Sequence, residues 1–358
     1  MSDITNLYRV SPRQISVMIE ECLYAGLVPF VTGSPGCGKS SIMKAIADKL
    51  SLSVIDHRLS TSEPTDMSGL PNFTADGHAY FAPFAELFPL RSAPLPEGKD
   101  GWMIFLDELN ASPKPVMASA YKLILDKMVG QHPLHERAVI TAAGNLETDR
   151  AITNSIGTAM ESRLIHLELE LITKEWIEDV AMKQEYDSRI IAFLNHMPSK
   201  LMDFRPDHSG KTFCCPRTWE FLNRLIKGKP VLKDSMIPLY AGTITAEVAA
   251  EFVQFTKIYQ SMVTIKQIVD DPLGCEVPRS SDIQWALTIH ILDHVEPGIL
   301  NELTQYANRF PMQFRVFFFR ALLRKHPNLR RHSAMMRVQS ELSRYLFSRE
   351  EMDEMGPA

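Results

Sequence analysis

The segment Gly33-Ser34-Pro35-Gly36-Cys37-Gly38-Lys39-Ser40 follows the apolar run Leu27-Val28-Pro29-Phe30-Val31 after a single threonine. It runs directly into Ser41-Ile42-Met43-Lys44-Ala45-Ile46-Ala47, whose apolar residues recur at helical spacing. A strand, a glycine-rich loop and a helix in that order constrain the fold more than any other part of the chain. Glycines at these positions let successive backbone N–H groups converge on phosphate oxygens, Lys39 can reach β- and γ-phosphates, and the Ser40 hydroxyl can ligate Mg²⁺. The nine residues from Gly33 to Ser41 are therefore the candidate binding set for a nucleoside triphosphate, read as ATP with Mg²⁺. A chance turn rich in Gly, Pro and Ser would require neither the strand before it nor the helix after it.

The surrounding pattern supplies the sheet that such a loop needs. Ser11-Pro12 opens an amphipathic helix carrying Ile15, Ile19 and Leu23, closed by Gly26. Ser53–Arg58, Trp102–Leu106 and Ala138–Ala143 read as further strands, and Pro115 to Met128 as a helix. Strands alternating with helices imply an α/β class with a parallel sheet and the nucleotide at the carboxyl ends of its strands. Residues 63–94 are rich in Pro, Gly and aromatics, with Asp76-Gly77 between Asn72-Phe73 and Tyr80-Phe81, so a hairpin insertion is expected there. From about Thr173 the pattern is helical. The expected division is a nucleotide-binding α/β/α domain over 1–170, a helical lid over 171–232 and a C-terminal helical extension over 233–358.

Four apolar residues ending in two carboxylates, Met103-Ile104-Phe105-Leu106-Asp107-Glu108, describe a strand that delivers acids to the open edge of that sheet. Asp107 is the candidate for the Mg²⁺ shell, with Ser40, and Glu108 the candidate to polarise attacking water. Asn145 ends the following strand, where an amide can orient that water or serve as an ordinary turn residue. Arg163 stands between a short helical segment and the strand Ile165–Leu169. It can reach a neighbouring subunit's nucleotide or be a surface arginine, and Arg150 competes for the same role.

The chain of 358 residues has 38 basic and 43 acidic side chains, net −5, which excludes a protein that coats nucleic acid along its whole surface. The charge is unevenly spread. Arg309 to Arg344 carries eight arginines and Lys325 against Glu341, a net of +8, so the remainder carries −13. There Arg315, Arg320 and Arg324 interleave with Phe314, Phe317 and Phe318, which implies an amphipathic helix with a basic face. That face is read either as a grip for nucleic acid or an acidic partner, or as a surface that pairs with the chain's own acids. No apolar run reaches the roughly 20 residues that a membrane helix needs. The N-terminus has no basic start followed by an apolar core, and the five cysteines form no C-x-x-C pair. A cytoplasmic, reduced setting without disulfides or structural zinc is expected.

Taken together, the phosphate loop, Leu106-Asp107-Glu108-Leu109-Asn110, Asn145 and Glu161-Ser162-Arg163-Leu164 resemble the AAA+ superfamily and, within it, the MoxR-like ATPases. Leu109-Asn110-Ala111 looks like that family's D-E-I-N-R, with alanine in place of its arginine. Thr65–Gly69, a glycine-containing hairpin and Phe81-Ala82-Pro83 look like the family's insertion, which faces the pore of a ring. Cys215-Pro216-Arg217-Thr218 resembles the second sensor, so the resemblance implies that Arg217 reaches the γ-phosphate. It covers roughly Arg9 to Lys227. It implies an ATP-hydrolysing oligomer, a hexameric ring, that remodels or activates a protein partner, often one carrying a von Willebrand factor A domain. Rival readings are a nucleic-acid motor or defence and restriction subunit gripping through the basic helix, and a scaffold that binds ATP and turns over slowly.

Overall fold

The computed structural model describes residues 8–149, 154–207, 210–260 and 263–346. Contacts divide the chain into two units. One comprises the described residues up to Ile172 with the short return segment from Phe204; the other comprises Thr173–Asp203 and the described residues from Gly210 onward.

The first unit is built on a six-stranded sheet. Its strands are β1 (Arg9–Val10), β2 (Val28–Thr32), β3 (Leu52–Arg58), β6 (Gly101–Asp107), β9 (Ala138–Gly144) and β10 (Leu164–Leu169). The spatial order is β1-β10-β2-β9-β6-β3, with every neighbouring pair parallel. Two hairpins stand apart from it: β4 (Leu70–Phe73) with β5 (Ala79–Ala82), and β7 (Met128–Val129) with β8 (His132–Pro133).

Alternation along the central strands sends side chains to two faces. Val28, Phe30, Ile104, Leu106, Ile140 and Ala142 join Val116, Met117, Ala120 and Leu123 of α4 (Lys114–Asp126) on one face. Val31, Met103, Phe105 and Ala143 meet α1 (Pro12–Tyr24) and α2 (Lys39–Lys49) on the other, through Ile15, Ile19, Met43 and Ile46. The result is the α/β/α sandwich expected from the sequence, followed by a helical region. Helix α1 starts where it does because Ser11 and Gln14 form a reciprocal capping box and Pro12 occupies the first turn. Helix α4 ends two residues before the expected Met128: Lys127 takes a left-handed conformation at φ 52°, and Met128 enters β7.

The insertion begins with α3 (Pro64–Ser68) and Gly69, whose φ of +93° only glycine adopts freely. A Cβ at Gly69 would lie 2.4 Å from the carbonyl oxygen of Ala82, so the hairpin's two ends are in contact at its root. The root is braced by the smaller hairpin, through the His132 ring 2.9 Å from the Phe81 carbonyl. Along the hairpin the side chains of Leu70, Phe73 and Phe81 are exposed. Downstream, the segment is stapled to the sheet by buried His57 of β3, which stacks on Phe88 at 4.7 Å and lies 2.8 Å from the Leu87 carbonyl oxygen.

In the first unit α5 (Thr158–Glu161) leads into β10. The second unit is helical: α6 (Thr173–Trp176), α7 (Ser188–His196), α8 (Pro216–Ile226), α9 (Ile237–Ile244), α10 (Ala246–Gln260), α11 (Ile265–Asp270), α12 (Ser281–Asp293), α13 (Leu300–Ala307), α14 (Met312–Lys325) and α15 (Ser333–Leu346). Phe193, Trp219, Phe252 and Phe255 form an aromatic core between α7, α8 and α10, and Trp285 packs edge-on to Phe314 and Phe317. The basic helix proves to be α14, and its charges are turned on the chain's own acids. Arg324 lies 3.0 Å and Arg320 3.6 Å from the buried carboxylate of Glu178, and Arg315 lies 3.0 Å from Glu341. These pairs favour the reading in which the basic face meets the chain's own acids. Among the described residues no helix is long and apolar enough to cross a membrane.

Candidate phosphate and magnesium site

The carboxyl ends of β2, β9 and β6 bring most of the candidate residues of the first unit together. Strand β9 lies between the phosphate-loop strand and the acidic strand, so Asn145 stands between Lys39 and Asp107. The phosphate loop leaves β2 at Gly33 and enters α2 through Gly38, which caps the helix at φ +103°. Lys39 is 8% exposed, and its ammonium donates to the carbonyls of Gly33 at 2.6 Å and Ser34 at 3.3 Å and to Asn145 Oδ1 at 3.3 Å. A charged group surrounded by oxygens near a helix N-terminus is the counterpart of a phosphate. Cys37 is buried against the α1–α2 face, where it serves as packing.

Ser40 donates through Oγ to Asp107 Oδ2 at 3.2 Å, and the Glu108 N–H donates to Asp107 Oδ1 at 2.9 Å. Burial raises the Asp107 pKa, opposed by those two hydrogen bonds. A poorly hydrated carboxylate beside a hydroxyl fits Mg²⁺, whose remaining ligands are usually phosphate oxygens and water. Among the described residues no cluster of three or more His, Cys, Asp and Glu forms a metal cage of its own.

Glu108 adopts the left-handed region at φ 57°, ψ 36°, uncommon for a side chain of this kind, and its carboxylate accepts from the Ser60 hydroxyl. Asn110, buried at 5% exposure, donates to the Asn145 carbonyl at 2.8 Å and accepts from the Asn145 N–H at 3.0 Å. Asp149, also buried, accepts a hydrogen bond from Ser34 of the loop; burial raises its pKa, against the pull of Ser34 and Lys39. Ser60 and Asp149 carried no signal in the sequence. Asn110 was visible only as part of a motif, because its role depends on a contact between two strand ends.

Arg163 is not among the residues at these strand ends. Arg163 precedes Leu164, which pairs with Val28 at the start of β2, so it stands at the opposite edge of the sheet from its own phosphate loop. Its guanidinium lies over the Tyr121 ring at 5.2 Å and donates to the Ala159 carbonyl. Arg217 is exposed in the first turn of α8, in the second unit. Arg150 lies outside the described residues.

No protein-family model matches the sequence, and no curated protein matches it significantly. Solved structures match it at low identity. The Thermotoga maritima RuvB Holliday junction branch migration motor is 17% identical over 71% of this chain and 75% of its own, with a TM-score of 0.36. NtrX from Brucella abortus in complex with ADP is 12% identical over 93% and 68%, with a TM-score of 0.36. A DNA polymerase III gamma subunit-related protein from Thermotoga maritima is 12% identical over 94% and 91%, with a TM-score of 0.33. Likenesses this distant assign neither substrate nor partner. The placement of Lys39, Ser40, Asp107 and Asn145 at the ends of adjacent parallel strands suits a phosphate group with Mg²⁺.

Proposed function

We propose that this chain is an ATP hydrolase of the AAA+ kind, MoxR-like in character, that works as an oligomeric ring on a protein partner. The observation that carries the reading is the convergence of Lys39, Ser40, Asp107, Glu108 and Asn145 at the ends of three adjacent parallel strands. In this reading Lys39 and the loop amides bind the β- and γ-phosphates, and Ser40 with Asp107 holds Mg²⁺, which would neutralise charge developing on the phosphates. Glu108 draws a proton from the attacking water, and Asn145 orients that water. Ser60 holds Glu108 by a hydrogen bond until the attacking water competes for the carboxylate.

Arg163 has no reach to its own phosphate loop from the far edge of the sheet, which supports a role in a neighbouring protomer's site. An enzyme whose site needs a residue from the next copy must assemble, and a hexamer is the ring we propose. Arg217 is proposed to sense the γ-phosphate from the helical unit. The lid and C-terminal extension, divided near residue 232, are proposed as its functional parts. The resemblance to MoxR-like ATPases supports remodelling of a partner bearing a von Willebrand factor A domain. All five cysteines are free thiols, which suits a reducing compartment such as the cytoplasm.

Glu108→Gln and Lys39→Ala test the chemistry. The first is expected to bind a fluorescent ATP analogue and release no phosphate, the second to lose binding. Mixing Arg163→Ala with Glu108→Gln protomers should restore part of the activity that each lacks alone. Wild-type turnover in Glu108→Gln overturns the proposal.

A further inference from the structure

Asn110 belongs to the turn Leu109–Ala111, two residues beyond Glu108, and both ends of its amide are spent on one residue's backbone. A primary amide that donates to the carbonyl and accepts from the N–H of the same residue fixes that residue much as a partner strand does. Position 145 needs such a partner. The pairing of β9 with β6 reaches only Leu106↔Ala142, and that with β2 reaches Thr32↔Gly144, so Asn145 is the first residue beyond the ladder.

Gly144 leaves the room for this contact. A Cβ there would lie 2.4 Å from Asn110 Oδ1 and 2.8 Å from the Phe30 ring. The turn is itself held from behind, since the Asn110 carbonyl accepts from the Asn154 N–H at 2.6 Å and the Ser112 carbonyl from the Asn154 amide at 2.9 Å. On the far side, Asn145 Oδ1 accepts from Lys39. One buried amide thus joins the turn that presents Glu108 to the strand tip that meets the phosphate-loop lysine.

We infer that Asn110 is a positioning residue for hydrolysis: it clamps the tip of β9 so that the Asn145 side chain and the Glu108 carboxylate keep a fixed spacing across the γ-phosphate end of the site. This inference rests on the ATPase reading above. Asn110 touches no reacting atom and acts through Asn145.

Asn110→Ala, Asn110→Asp and Gly144→Ala probe the clamp by three routes. The aspartate keeps an acceptor for the Asn145 N–H and has no donor for the carbonyl, and the added methyl at 144 displaces an intact Asn110. Each is expected to bind ATP within about threefold of wild type and to lose kcat on the order of 10²-fold, the scale for reacting groups misplaced by about 1 Å. Amide hydrogen exchange at residue 145, followed by NMR, should accelerate about tenfold in Asn110→Ala and Gly144→Ala, which remove or displace the acceptor, and less in Asn110→Asp, which keeps it. In an Asn145→Ala background, Asn110→Ala should reduce kcat further by no more than about twofold, because both changes disable one device. Additive losses, or unchanged exchange at residue 145, overturn the inference. If Asn110→Ala does not fold, Asn110→Asp and Gly144→Ala carry the same test. A wild type that binds ATP without turnover overturns the ATPase reading instead, and the exchange rate at residue 145 still decides whether the clamp exists.

Discussion

Glu178 and the two arginines of α14 differ sharply in burial, and that difference makes their energetics lopsided. The Glu178 side chain is 3% exposed, whereas Arg320 and Arg324 are 27% and 39% exposed. Replacing both arginines by glutamine takes two cations away from a carboxylate where water does not reach it. Breaking a buried pair from one side costs about 3–5 kcal/mol, and the glutamine amides and the nearby surface put this case at the low end, about 3 kcal/mol. Replacing Glu178 by glutamine leaves two cations that turn outward and rehydrate, at a cost of about 1 kcal/mol. With a urea slope of about 2 kcal/mol per M, the midpoints should fall by about 1.5 M and about 0.5 M respectively. Adding Glu178→Gln to the double arginine variant should recover most of the lost stability, because the buried charge is gone. Urea titration of the four proteins, followed by circular dichroism, measures all of this. Equal costs from the two sides, or no recovery in the triple variant, would refute the reasoning and return the arginines of α14 to service as an external grip.

Two further outcomes follow from contacts within the first unit. Ser60→Ala removes the hydroxyl that holds the Glu108 carboxylate, so basal phosphate release should rise severalfold with ATP affinity unchanged; a fall in turnover would show that Ser60 assists the reaction. His57 is held below its ordinary pKa of about 6.5 chiefly by burial, with Asp56 and Asp66 pulling the other way. The unfolded chain therefore takes up a proton that the fold resists. This stability is present above about pH 6.5 and lost as pH falls below it, by at most about 1.4 kcal/mol per pH unit for one proton. Thermal melts between about pH 7.5 and about pH 5.5 should show a steeper acid loss for wild type than for His57→Gln, and equal slopes would remove His57 from that role.

What the sequence made legible was local. The phosphate loop is readable because Gly38 must take a positive φ and the flanking strand and helix are continuous in the chain. The strand ending in Asp107 is readable because all seven of its residues are buried. The two-residue strands β1, β7 and β8 are too short to leave a periodic trace. The pairings Ser60–Glu108 and Asn110–Asn145 join residues 48 and 35 positions apart, and nothing in either segment announces its partner. Helical spacing correctly gave α14 an apolar face of Phe314, Phe317 and Phe318. It could not say that Glu178, more than 130 residues earlier, would meet the opposite one.

The hairpin of β4 and β5 divides its own residues into two evolutionary classes. At the root, Gly69 admits no side chain beside Ala82, Gly130 admits one only 3.1 Å from the Ser68 carbonyl, and His132 reaches the Phe81 backbone. At the tip, Phe73, Thr74, Asp76 and His78 are exposed. Changes at the tip therefore alter what the hairpin displays without disturbing the sheet that carries the phosphate loop, whereas changes at the root reach the sheet through the braces. Related chains should differ most at the tip while keeping the glycines beneath it.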